Sequence, residues 1–194
     1  MRIVVGITGA TGTVIGVRTL QVLNDSGVET HLVLSKWGAR TLIQETPHTV
    51  EYVKSLATHA YSESDHSAPI SSGSFVTDGM IIAPCSVRTL AAIAQGHGDN
   101  LVHRAADVIL KERRKLVLMV REAPLSDIHL ENMLKLSRMG AVITPPVLAF
   151  YDNPRTLDDA VNHIVMRALD ALGIHVDVAA RWDGGKPISK SPLK

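Results

Sequence analysis

Cysteine is almost missing from this chain of 194 residues; Cys85 stands alone. One thiol makes neither an internal disulfide nor a cysteine-based structural zinc site. Aromatic residues, at 4%, are too few to pave a platform for stacked bases. Neither sign of charge is in excess. A net charge of +1 gives no field that would gather nucleic acid or an anionic membrane surface. Long apolar runs are lacking too, and no stretch approaches the ~20 residues of a membrane span. The apolar start, MRIVVGITGATG, is too short for a signal peptide and is broken by Gly6. The expectation is a soluble, cytoplasmic protein. Several catalytic patterns are absent as well. There is no H-E-x-x-H, no G-K-[ST] after the first glycine turn, and no G-x-S-x-G in a strand context. His129-Leu130-Glu131 has the H-x-E form of zinc deaminases without their paired cysteines, so His129 reads as a packed or hydrogen-bonded helix residue. No metal site is expected.

What is present is ordinary globular material, 45% hydrophobic and 20% charged, of a length that fits one domain. Short apolar, β-branched runs at 2–7, 30–34, 79–83, 116–120 and 141–144 read as strands. Between them lie stretches with helical spacing. Val14, Val17, Leu20 and Leu23 open the first of these, and Gly27 stops it. Further helices are predicted to about Glu45, over 49–57, 86–95 and 101–111, from Ser126 to Gly140, and from Thr156 to about Leu172. The polar, serine-rich stretch 58–75 reads as a long loop, a length that usually accompanies function or disorder. Strands alternating with helices predict an α/β fold with a parallel sheet covered on both faces. The expected architecture is a single Rossmann- or flavodoxin-like three-layer sandwich of about five or more strands. It spans residues 1–182, and 183–194 form a C-terminal tail.

In such sheets ligands bind beyond the carboxyl ends of the strands, and those ends share a theme here. Strand one runs into Thr8-Gly9-Ala10-Thr11-Gly12, which offers hydroxyls and free N–H groups to an anion without matching G-x-G-x-x-G. Ser35 follows strand two, Ser86 and Thr89 follow strand three, and Arg121-Glu122 follows strand four. Taken singly, the hydroxyls are helix caps and Arg121 with Glu122 is a surface pair. Taken together they predict a pocket for a phosphorylated cofactor, with Arg121 as its planar donor. No acidic residue ends strand two to hold a ribose diol, which disfavours NAD; the residues alone do not separate NAD from FMN. Arg104, Lys111, Arg113, Arg114 and Arg167 are candidates for a second anion, against the reading that each is a solvated helix face. Cys85 precedes a helix but reads first as a buried structural thiol.

Longer segments carry a resemblance. GITGATG, LSKWGARTLIQET, SSGSF, IAPCSVRTLAAIAQG, NLVHRAADVILKERRKLVLMVREAPLSDIHLENMLKLSRMGAVITPP and AFYDNPRTLDD together resemble the flavin prenyltransferases of the UbiX family. The form SKW and the segment SSGSF resemble the branch of that family associated with phenolic and aromatic acid decarboxylases. The resemblance implies a flavodoxin-like fold binding FMN. It implies metal-independent transfer of a dimethylallyl group from dimethylallyl phosphate to N5 and C6 of reduced FMN. The product would serve a UbiD-type aromatic acid decarboxylase, and the assembly would be a homododecamer. By position, it puts Gly9, Ala10, Thr11, Ser35, Ser86, Val87, Arg88, Thr89 and Arg121 at the FMN. It puts Lys111, Arg121, Glu122, Tyr151 and Arg167 at the allylic phosphate, with Arg104 nearby. Thr11 and Glu45 fall near the flavin N5, and Trp182 falls where an aromatic covers the prenyl group. Three positions depart from the family pattern: Thr11 for serine, Ile15 for an aromatic, and Val120 for the proline before Arg121. Two alternatives stand beside this reading: an FMN-dependent aromatic acid decarboxylase acting directly, and a non-catalytic FMN carrier.

Overall fold

The computed structural model describes residues 1–184. Most of the predicted tail, 185–194, lies outside the described residues. Six strands form one sheet: β1 (Arg2–Ile7), β2 (Glu29–Leu34), β3 (His59–Tyr61), β4 (Gly79–Cys85), β5 (Lys115–Val120) and β6 (Val142–Ile143). Every pairing is parallel, and the order is β3-β2-β1-β4-β5-β6. The helices are α1 (Thr13–Asp25), α2 (Lys36–Glu45), α3 (Val50–Ser55), α4 (Val87–Gln95), α5 (Leu101–Lys111), α6 (Asp127–Arg138) and α7 (Leu157–Leu172). Among the described residues no helix is long and apolar enough to cross a membrane.

The sheet is wet on neither side. Residues 2–7 and 79–85 are almost wholly buried, because both of their faces are covered by helices. Alternate residues feed two separate cores. Ile3, Val5, Ile7, Ile81, Val117 and Met119 join the core built with α1 and α7. Val4, Met80, Ile82, Leu116 and Leu118 join the core built with α4 and α5. The helix starts follow the side chains available. Ser35, Thr49, Ser86, Asn100, Ser126 and Thr156 each accept a hydrogen bond from an N–H in the first turn of the helix they precede. His129 completes a capping box by accepting from the N–H of Ser126, which gives that histidine the hydrogen-bonding helix role expected of it.

The stretch 58–75 corrects the expectation of a plain loop. It contains β3, an edge strand, and a single 3-10 turn at Pro69–Ser71. β3 has three residues, two of them exposed, so no periodic apolar signal marks it. β6 is also shorter than read, two residues instead of four. Cys85 is fully buried, and burial pushes its thiol up to about 12, the state of an inert structural residue.

Candidate functional site

The strand order reverses between β1 and β4, which places their carboxyl ends side by side and opens a crevice there. A cavity of about 740 Å³ fills it. Its walls include the β1 turn (Thr8 to Thr11), Ser35 after β2, Ser86 to Thr89 after β4, and Arg121 with Glu122 after β5. All nine residues predicted for the flavin therefore come together.

The walls are held by named contacts. Thr8 is buried; its hydroxyl donates to Pro84 O at 2.8 Å and accepts from Ser86 N at 2.9 Å. This ties the end of β1 to the end of β4. The Arg121 N–H donates to Cys85 O at 3.1 Å, which ties in β5. Gly9 faces α2 so closely that a Cβ there would lie 2.5 Å from Trp37 Cβ. The other end of the turn is held by Glu45. Gly12 begins α1 in the left-handed region, at φ 93°, with no side chain to cap it. Glu45, at the end of α2, supplies that cap by accepting from Gly12 N at 2.9 Å and from the N–H and hydroxyl of Thr13 at 3.2 Å. Burial raises the pKa of this carboxyl, but donation from Thr11, Gly12 and Thr13 outweighs that and leaves it below its usual range.

Donors face the cavity. Ser86 Oγ takes the N–H of Thr89 at 3.2 Å, and the first two N–H groups of α4, on Val87 and Arg88, have no partner among the described residues. With the Arg88 and Arg121 guanidiniums on the same wall, this donor set suits a phosphate ester. Sequence reasoning missed Lys36 and Trp37 at the start of α2, and Glu63, Ser64, Asp99, Asn100 and His103 around the start of α5. Glu63 and Ser64 arrive because 62–64 folds back onto α5, where Leu101 N donates to Glu63 O at 2.7 Å. The signal was Asn100, whose side chain accepts from His103 N at 3.0 Å and so starts α5 at the cavity wall. His103 is buried, its Nδ1 has no partner among the described residues, and burial holds the ring's pKa down.

The residues predicted for the second anion do not join this wall in a single chain. α5 begins at the cavity and runs back against the strands. Ten residues at 1.5 Å each put Lys111 about 15 Å from the helix start, toward the amino ends of the strands. There Lys111 pairs with Glu112. Arg104, a turn into α5, donates to Ser71 O at 3.0 Å and pairs with Asp107 at 2.8 Å. Arg167 is on α7, on the other face of the sheet, and pairs with Asp170 at 2.9 Å. Tyr151 shares a 2.7 Å hydrogen bond with His163 of α7, and Trp182 meets the Tyr151 ring edge-on at 5.3 Å. Asp170 pairs with both Arg167 and Arg181, so Arg167 and the Tyr151–Trp182 pair all attach to α7. None of these residues, nor Lys111, lines the cavity that holds Arg121.

Residues 1–169 match the sequence pattern of the Flavoprotein family. The chain belongs to that family. This flavoprotein is 58% identical over 184 residues to a Bacillus subtilis protein named "Probable UbiX-like flavin prenyltransferase", with 95% of this chain and 90% of the relative covered. Two solved structures superpose closely. One is a dodecameric FMN-dependent UbiX-like decarboxylase from Escherichia coli O157:H7, at 56% identity and TM-score 0.93, covering 95% of this chain and all of the other. The second is AnUbiX (PadA1) in complex with FMN and dimethylallyl pyrophosphate, at 50% identity and TM-score 0.94, covering 95% and 98%.

Proposed function

We propose that this flavoprotein is a flavin prenyltransferase: it moves a dimethylallyl group from an allylic phosphate to reduced FMN and releases prenylated FMN. The observation that carries this reading is the donor wall of the cavity, in a chain half identical to a protein solved with both FMN and dimethylallyl pyrophosphate. Reduced FMN, when bound, supplies the electron-rich N5 and C6 positions that the allyl group joins. The chain supplies the rest. Gly9 to Thr11, Ser35 and Ser86 to Thr89 bind and orient the flavin. Arg121 reaches both anions from the end of β5. Lys111, Arg167 and the Tyr151 hydroxyl stabilise the phosphate as it leaves with its negative charge. Glu122, beside Arg121, or the departed phosphate would take the proton that C6 loses on ring closure, and Trp182 would offer a π-face to the allyl group and keep water out. Thr11 and Glu45 hold the turn against the flavin.

Since Lys111, Arg121 and Arg167 lie at separate places in one chain, the phosphate site is completed by neighbouring copies. The assembly is a homododecamer like the Escherichia coli relative. A band of exposed apolar residues supports this: Ile128, Leu130 and Leu134 on α6, and Val147, Leu148 and Phe150 beyond β6. The product then passes to a UbiD-type decarboxylase.

A second reading, direct decarboxylation of an aromatic acid, is favoured by the name of that same relative. One anaerobic experiment separates the two. The protein is mixed with reduced FMN and dimethylallyl phosphate, and the released flavin is weighed by mass spectrometry. The mass of prenylated FMN is expected. Unmodified FMN, with carbon dioxide released from a phenolic acid by this protein alone, would establish the second reading instead.

A further inference from the structure

The sheet edge at β2 and β3 carries a separate constellation. Glu29 and His31 are two residues apart on β2, so they share a face. His59 on β3 is the register partner of His31. All three positions are therefore fixed by the ladder. One ligand atom from each lies within 4.8 Å of the other two. His31 Nε2 is 3.0 Å from Glu29 Oε1, and His59 Nε2 is 4.0 Å from the same oxygen. Around a tetrahedral ion with bonds of about 2.0–2.1 Å, neighbouring ligand atoms stand roughly 3.4 Å apart. His59 is half exposed, so its ring can close that gap by turning.

We propose that Glu29, His31 and His59 form a binding site for a divalent transition-metal ion of the Zn²⁺ class, which clamps the edge strand β3 to β2. Two imidazoles and one carboxylate are the ligand types such ions take, with water completing the shell. The outer partner is also in place. Tyr61 Oη lies 2.9 Å from His31 Nδ1, where it fixes the ring and can accept a hydrogen bond from Nδ1–H once Nε2 turns to the metal. Burial lowers the pKa of His31, against the pull of Glu29, and so favours the neutral ring. Hydrogen bonds from Arg2 and His31 hold the Glu29 carboxyl down at about 2. Both groups are thus in their ligating forms at neutral pH.

The His59 ring stacks on the buried His31 ring, centroids 4.8 Å apart, yet its Nε2 has no hydrogen-bond partner among the described residues and lies 4.0 Å from Glu29 Oε1. Arg2 opposes a cation, because its Nε lies 2.8 Å from Glu29 Oε1. It is anchored elsewhere as well, by Val76 O at 2.8 Å and by the Phe75 ring at 4.5 Å, and Glu29 Oε2 has no hydrogen-bond partner among the described residues.

The test uses tag-free, chelator-stripped full-length protein titrated with Zn²⁺ against a chromophoric chelator. His59→Ala is the comparison because His59 is exposed and its loss spares the core. Adventitious sites on the remaining histidines are common to both proteins. The expected result is one equivalent of Zn²⁺ that His59→Ala binds at least tenfold more weakly, with a matching loss of Zn²⁺-induced rise in Tm. A smaller difference, or no binding by the unaltered protein, overturns the proposal.

Discussion

The two ends of α5 show how differently the two parts of the site are built. At its start the chain is self-sufficient: four strand ends, the capping hydroxyls of Ser35 and Ser86, and Arg121 converge because a parallel sheet with reversed strand order must bring them together. At its finish stands Lys111, near the amino ends of the strands and paired with its neighbour Glu112. Arg167 lies on α7, across the sheet, and Tyr151, beyond β6, is hydrogen-bonded to that helix through His163. A fold can guarantee convergence of groups that follow its strands. Groups that lie on its outer helices converge only through packing between copies.

The sharpest way to break that contrast is complementation. Lys111→Ala and Arg121→Ala should each lower prenyl transfer by about 10²–10³-fold, the cost of one lost charge stabiliser. Coexpressed in one assembly, the two should recover about a quarter of the activity, since a site drawing Lys111 and Arg121 from different copies is intact in that share of random pairings. Failure to recover would put both residues in one chain's site. Next in size is flavin retention. Arg121→Ala should weaken FMN binding by roughly ten- to a hundredfold, the scale of a charge-assisted hydrogen bond. Lys111→Ala should leave it unchanged, as read by flavin fluorescence after desalting.

Within the self-sufficient half, Thr8→Val should cost about 1 kcal/mol of stability in urea unfolding, because the part-buried Ser86 N–H loses its acceptor. The smallest effect concerns the α7 surface group. Donation from Arg181, then from His175, holds the Asp170 carboxyl at about 2, below its ordinary 3.8. A depressed folded-state pKa adds stability that is complete above about pH 4 and is lost as the pH falls toward 2. Asp170→Asn should flatten that acid limb of Tm against pH and leave the flavin site untouched.

The sequence made one half of this legible and not the other, for physical reasons. Central strands announce themselves as apolar runs, and Ser35, Ser86, Ser126 and Thr156 mark helix starts by their chemistry. Strand-end residues then locate a cavity without any knowledge of the ligand. β3 stayed hidden because an edge strand of three half-exposed residues has no pattern to read. His103 and Glu63 stayed hidden because their place depends on a long connection folding back onto α5. Lys111 and Arg167 were legible only as candidate anion ligands; their expected place at the allylic phosphate, and that of Tyr151, came from resemblance. Spacing says on which helix a cation lies and nothing of which neighbouring copy it meets.

The attachment of the β1 turn to α2 has a consequence for how a ligand gets in. Trp37, near the start of α2, abuts Gly9, and Glu45, its last residue, grips Gly12 and Thr13. The helix lies along the turn like a splint, fastened at both ends. The turn therefore has no swing of its own, and any breathing that widens the crevice must carry α2 with it. Amide exchange in the turn and in α2 should accordingly quicken or slow as one unit when flavin leaves or arrives.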